Sequence, residues 1–357
     1  MAEFPTCQGC GVPENFAQMN RWLDNGDIVQ ATNEQARMAL VECENIDPVF
    51  RDVGKAIGIS IDHIVINIVA RATQLYMDTL ILPQVKELIR NRSLDIQTFS
   101  QPIMDLCHAM GFGRYRFLGY RYEEDEDDFC KMSIYRPYSI LETSGAFAGV
   151  VASTVGGEHL VTFEEVSPGL FELTTHWTTY PQALKEKLKL RLYKPRKGNL
   201  VLEKCATCGT PLLLSSTCRW DMENGTITNT RTGYRMAVLG PGLMDTVFEA
   251  LEWELGEEIP RLVVDAQRRF AREGFAPIDF SWDEEELRRQ FAARGLGKLR
   301  RFRLRSDGLS MRMDNSCMRL LLVGLLQGGY ERTYGVDSHV DWEVSEGGAL
   351  EIEIEAR

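Results

Sequence analysis

The 357-residue sequence has no apolar run approaching the roughly 18 residues that a membrane-spanning helix needs. Its opening stretch, MAEFPTCQGC, has neither the basic cluster nor the apolar core of a secretion signal, so a cytoplasmic location is expected. Also absent are the glycine-rich phosphate loop, the G-x-S-x-G nucleophile elbow, the H-E-x-x-H zinc helix and the dinucleotide fingerprint. No motif therefore points to nucleotide, hydrolase or metalloprotease chemistry, and no acid/base pair stands out. Histidine is scarce at five residues; His63 reads as a packed core residue, and only His159 and His339 occupy roughly comparable places in the two halves of the chain. Positive charge is short as well: the net charge of −12 disfavours nucleic acid or an anionic membrane as a general partner. Nine cysteines without a secretion signal argue against a disulfide framework and for thiols, metal ligands or redox chemistry.

What the sequence does have is repetition. CQGCG at 7–11 recurs as CATCG at 205–209, and at the same offset Pro13 matches Pro211, Arg21-Trp22 matches Arg219-Trp220, Arg37-Met38-Ala39 matches Arg235-Met236-Ala237, and Val49-Phe50 matches Val247-Phe248. Further on, Gly111 and Gly113 match Gly295 and Gly297, and Gly145, Gly149 and Gly156 match Gly324, Gly328 and Gly335. A fixed offset held over such rare residues is the mark of an internal duplication. The first copy is placed at 1–178, a basic connection at 179–200 that reads as a strand leading into an exposed segment, and the second copy at 201–357. Within a copy, the cysteine turn leads into a hairpin. One long helix from about Asp47 through ISIDHIVINIVARATQLYMDTLI follows, its length favouring helix over a competing buried strand, then a shorter helix, two strands, the glycine-spaced helix and two closing strands. Helices gathered on an antiparallel sheet make two tandem α+β domains with zinc-knuckle-like hairpins.

The closing block of each copy, SILETSGAFAGVVASTVGGEHLVTFEEVSPGLFELTTH and CMRLLLVGLLQGGYERTYGVDSHVDWEVSEGGALEIEIEA, resembles the end of the 4-vinyl reductase domain family, in which a G-x-x-x-G helix leads into a Glu-bearing strand and a final strand. Sensor domains of aromatic-responsive bacterial activators and certain transport-complex subunits share that fold. The resemblance implies a small apolar or aromatic ligand held between helices and sheet, with Ile64, Val65, Val69, Tyr76, Phe147 and Gly149 as candidate lining residues. It also implies a sensor, carrier or accessory factor that passes its signal to a partner protein, with a tetrapyrrole- or aromatic-acid-processing enzyme and a scaffold as the alternatives. The family's metal-binding cysteines around the acidic strand are missing: Glu164 and Glu165 are followed by Val166 and Ser167, Glu343 by Val344 and Ser345, and only Cys317 matches.

The repeated cysteines have a direct chemical reading. In a C-x-x-C-G knuckle two sulfurs converge on one ion, and the glycine allows the backbone to turn after the second cysteine. One knuckle is half a tetrahedral shell, so Cys7, Cys10, Cys205 and Cys208 are expected to share one zinc ion that fastens the copies together. Two separate sites, completed by Cys43 and Cys218, are one alternative; a redox dithiol and unliganded thiols are others. Trp22 and Trp220 are expected to pack beneath the knuckles, and Arg37 and Arg235 to pair with Asp47 and Asp245.

Overall fold

The computed structural model describes residues 4–189, 193–345 and 348–357. The first half runs α1 (Glu14–Met19), β1 (Asn20–Trp22), β2 (Ile28–Gln30), β3 (Asn33–Glu42), α2 (Ile46–Ile57), α3 (Asp62–Leu80), α4 (Pro83–Arg90), α5 (Ile96–Ala109), β4 (Arg114–Arg121), β5 (Phe129–Tyr135), α6 (Ile140–Val155), β6 (Glu158–Ser167), β7 (Leu170–Thr178) and α7 (Gln182–Lys187). The second runs α8 (Leu212–Thr217), β8 (Cys218–Asp221), β9 (Thr226–Asn229), β10 (Arg235–Leu239), α9 (Pro241–Leu255), α10 (Ile259–Arg272), α11 (Glu284–Ala293), β11 (Lys298–Arg305), β12 (Gly308–Asp314), α12 (Arg319–Tyr334), β13 (Ser338–Val344) and β14 (Leu350–Ala356). This is an α+β fold, as expected.

Two expected elements differ. The single long helix is broken into α2 and α3, because Gly58 takes a left-handed conformation (φ 79°) and its N–H caps α2. A second break precedes Pro83, which opens α4. In the connection, the expected strand is replaced at 182–187 by α7; residues 190–192 lie outside the described residues. Among the described residues no single helix is long and apolar enough to cross a membrane.

Each half closes on a four-stranded antiparallel sheet, ordered β4-β5-β7-β6 in the first and β11-β12-β14-β13 in the second. Against each sits a helix pair whose close approach requires glycine. A Cβ on Gly145 or Gly149 of α6 would lie 2.6 Å from the Ile66 carbonyl or 2.4 Å from the Ala70 carbonyl of α3. A Cβ on Gly324 or Gly328 of α12 would lie 2.4 Å from the Val264 carbonyl or 2.2 Å from the Arg268 carbonyl of α10.

The N-terminal hairpins join the halves. Strands β3 and β10 pair antiparallel at the centre of a six-stranded sheet, β1-β2-β3-β10-β9-β8, with Leu40 opposite Val238 and Val41 opposite Ala237. That register is the one a twofold relation between the halves requires, since Leu40 and Val238 stand 198 residues apart, the spacing of Cys7 and Cys205. On the same line the rings of Phe50 and Phe248 meet at 5.8 Å.

Each hairpin reaches across to the opposite half while keeping contacts with its own, such as Asn20 with Met110 and Tyr234 with Gly274. Trp22 donates its indole N–H to the Ala293 carbonyl (2.7 Å), and Leu40 N–H bonds to Arg294 while Val238 N–H bonds to Met110. Phe16 lies between Trp22 and Trp220, at 6.0 and 5.1 Å. Arg37 donates to the carbonyls of Gly295 (3.2 Å) and Asn315 (2.5 Å), and Arg235 to those of Gly111 (3.0 Å) and Pro137 (2.9 Å). The ion partner of Arg37 is Asp27 (2.6 Å), not Asp47, whose carboxylate instead accepts from Ser139 Oγ and Ile140 N–H at the start of α6. Helix α2 likewise packs on α10, and α9 on α3. The largest apolar core therefore contains Val41, Val49 and Phe50 together with Ala237, Val247 and Phe248, and runs across the boundary drawn from sequence.

Candidate metal centre

Cys7 N–H bonds to the Val12 carbonyl (2.8 Å) and Gly11 N–H to the Cys7 carbonyl (2.8 Å); Cys205 N–H bonds to Thr210 (2.9 Å) and Gly209 N–H to Cys205 (2.9 Å). Gly11 and Gly209 adopt φ of 75° and 76°, the left-handed turn that a side chain would resist. Pro13 and Pro211 bridge back to Thr6 and Lys204, so each knuckle is closed by its own backbone before any ion arrives.

The strand pairing of the halves brings the two knuckles face to face. Cys7 Sγ lies 3.8 Å from Cys205 Sγ, Cys10 Sγ lies 3.5 Å from Cys208 Sγ, and all four sulfurs fall within 4.8 Å of one another. Four thiolates about 2.3 Å from a central ion in tetrahedral array sit about 3.8 Å apart, so the cluster matches the shell of one mononuclear ion. Cys7 and Cys205 are buried and Cys10 and Cys208 half-buried, which fits a structural site with no coordination position open to substrate. Backbone N–H groups of Cys208 and Thr207 favour the thiolate of Cys205, whereas burial pushes the Cys10 thiol up. Sulfurs this close cannot all ionise unless a cation is present. The approach needs a small residue at position 9: a Cβ on Gly9 would meet Thr207 Oγ1 at 2.8 Å and Cys205 Sγ at 3.0 Å.

Cys43 and Cys218 take no part. The Cys43 thiol bonds to the Arg235 carbonyl (3.6 Å), Cys218 Sγ lies 4.0 Å from Thr217 Oγ1, and burial pushes both thiols up to about 12. Cys317 is likewise buried, facing the carbonyls of Gly295 and Leu296.

The six residues expected to line an apolar pocket are placed in the α3–α6 seam and its surroundings. Val65, Val69 and Phe147 are buried in the core, Ile64 is half-buried, and Tyr76 donates its hydroxyl to Gln30 Oε1 (2.7 Å). Gly149 is occupied by the approach of α3. None of the six lines any of the three principal cavities. His63, expected in the core, is exposed on α3.

Those three cavities lie elsewhere. A mixed-charge groove of about 690 Å³ runs along α10 and β13, past Arg261, Arg268, Asp337 and His339. A shallow hollow of about 10 Å³ lies between Tyr120, Val155 and Trp177. An apolar slot of about 60 Å³ opens where the β3–α2 turn of the first half meets α10, α12 and the loop after α10 of the second. Sequence reading passed over its polar residues, Glu42, Asn45, Gln267 and Arg294. The available signal was their mismatch with the residues 198 positions later, where Gly240 and Leu243 stand at the places of Glu42 and Asn45.

Fold and sulfur cluster together define an α+β protein with a four-cysteine, metal-compatible centre at the junction of its halves. No protein-family model matches the chain, and no curated protein does. Among solved structures, the phenol-responsive sensory domain of the transcription activator PoxR aligns with 51% of this chain and 95% of its own at 15% identity and a TM-score of 0.33. The H-NOX protein of K. algicida aligns with 32% and 72% at 14% identity and a TM-score of 0.25, and that of T. tengcongensis with 40% and 84% at 15% identity and a TM-score of 0.25. Likenesses this low carry no functional weight.

Proposed function

We propose that the chain is a duplicated small-ligand-binding protein of the 4-vinyl reductase type, acting in the cytoplasm as a sensor, carrier or accessory factor, with its two halves clasped by one structural zinc ion. The observation that carries the metal part is the convergence of Cys7, Cys10, Cys205 and Cys208 within 4.8 Å. An all-sulfur, largely buried tetrahedral set selects a soft ion, and zinc needs no redox partner to hold it there. Zinc at this point ties the two knuckles to each other, and through them the hairpins that each half lends the other. Occupancy is thus coupled to the docking of the halves. Duplication is supported by the matched element order and the shared glycine-spaced helix pairs. Ligand binding is supported by an apolar slot with a few buried polar groups, the usual make-up of a small-molecule site. Native mass spectrometry of the chain purified from its own host tests the reading: one zinc per chain and a retained small molecule are expected. Two zincs, or a chain that never takes up metal, would defeat the shared clasp, and a chain that retains no organic molecule and takes up none would defeat the ligand reading.

A further inference from the structure

We infer that the slot at the junction of the halves, rather than the α3–α6 seam, is the ligand site, and that it takes a small neutral molecule with an apolar body and a single hydroxyl or amide group. The inference rests on the ligand-binding reading above and names the site and the chemistry. Phe275, Ile278, Met318, Leu322 and Leu325 form the apolar walls. The slot also holds two polar pairs. Arg294 donates to one oxygen of Glu42, and Asn45 Nδ2 donates to Gln267 Oε1 at 2.5 Å. Each pair leaves polar atoms unmet: Glu42 Oε1, Asn45 Oδ1 and Gln267 Nε2 have no hydrogen-bond partner. Their residues are only 7%, 6% and 0% exposed, so bulk water does not satisfy them. Buried groups of this kind ordinarily have partners, and their absence calls for an occupant.

The chemistry of the occupant follows from these atoms. Glu42 is neutralised by Arg294, so a charged ligand would enter without a counterion. Two acceptors and one donor on residues lining the slot are unmet, which asks for a group that both donates and accepts. If both amides turn over, Asn45 and Gln267 still present one donor and one acceptor. A volume of about 60 Å³ is well under the roughly 150 Å³ of a dry cavity that holds benzene, so the slot encloses the polar end and first carbons of a short chain whose far end lies in its open mouth.

The related place on the other side of the junction is built differently. Gly324 packs against Gln267 where Gly145 packs against Val69, so the polar side chain stands at the place of an apolar one. In the first half the rings of Phe112 and Tyr138, tilted together 4.8 Å apart, stand at the corresponding place; Leu296 and Cys317 line it in the second. Because Glu42 and Asn45 come from the first half and the walls from the second, an occupant bridges the same junction that the metal clasps.

The test uses the full chain as purified, titrated calorimetrically with 1-butanol and with 1-chlorobutane, a probe of similar size that cannot donate. Saturable 1-butanol binding at least tenfold tighter than that of 1-chlorobutane is expected, since the latter leaves the buried acceptors unmet. Leu296→Phe and Cys317→Tyr, which borrow the filling residues of the first half, should each abolish binding with metal content and circular dichroism unchanged. Gln267→Leu should keep binding but lose the tenfold preference, and a crystal soaked with 1-butanol should place the hydroxyl beside Asn45 and Gln267. Equal binding of the two probes, no binding of either, or ordered water alone in the soaked slot would overturn the inference. Binding that survives both filling variants would also overturn it, while leaving the general ligand-binding reading intact.

Discussion

Deleting one knuckle by the double substitution Cys7→Ser and Cys10→Ser should remove the metal without separating the halves. Strands β3 and β10 still pair, and Phe50 still meets Phe248, with no help from the sulfurs. The size of the effect follows from linkage: an ion present at about a thousand times its dissociation constant stabilises the folded chain by about 4 kcal/mol. An unfolding entropy of roughly 2.1 cal/mol/K per residue over 357 residues is about 0.75 kcal/mol/K, so the melting temperature should fall by about 5 °C. The parent chain in excess chelator should fall by the same amount, and the double variant should then be insensitive to chelator. Differential scanning calorimetry beside elemental analysis reads both quantities. If the double variant keeps its metal, or the metal-loaded parent melts at the same temperature with and without chelator, the coupling of metal to docking is wrong.

Gly9→Val should cut metal content severalfold in elemental analysis, because its side chain would press on Thr207 and Cys205 of the facing knuckle. Gly149→Ala and Gly328→Ala should each destabilise the chain by about 1–3 kcal/mol in urea titration, since each places a Cβ against a carbonyl of the neighbouring helix. Unchanged stability would mean that the helix pairs do not touch as described. Glu142, buried at the start of α6, has its carboxyl pushed up to about 7 by burial, with the nearby Asp47 adding to the shift and a bond from Tyr138 opposing it. Its folded-state value lies above its unfolded one, so its contribution is whole below about pH 4.5 and is lost as pH rises through 7. Relative to Glu142→Gln, the parent should therefore lose about 3 kcal/mol between pH 4.5 and 8 in denaturant titrations; a constant difference would refute the shift.

The sequence by itself determined the local pieces. C-x-x-C-G encodes a knuckle because two thiols three residues apart and a left-handed glycine leave the backbone little choice, and Gly11 and Gly209 both take that turn. Gly145 and Gly149, with Gly324 and Gly328, marked the faces where two helices come closest, since glycine alone admits another backbone at that distance. Pairing Cys7, Cys10, Cys205 and Cys208 was legible from the repeat, because half a shell written twice asks to be joined. Only the tertiary structure decided what those close approaches were for. Beside Gly149 the α3 backbone comes into contact, so at that point the glycine spacing encodes a close helix packing. The pairing of β3 with β10, the clamps of Arg37 and Arg235 on carbonyls of the opposite half, and the slot around Glu42, Asn45 and Gln267 all depend on residues far apart in sequence meeting at one junction. Local pattern fixes which face of an element is apolar, but which distant element covers that face is settled by how whole surfaces fit.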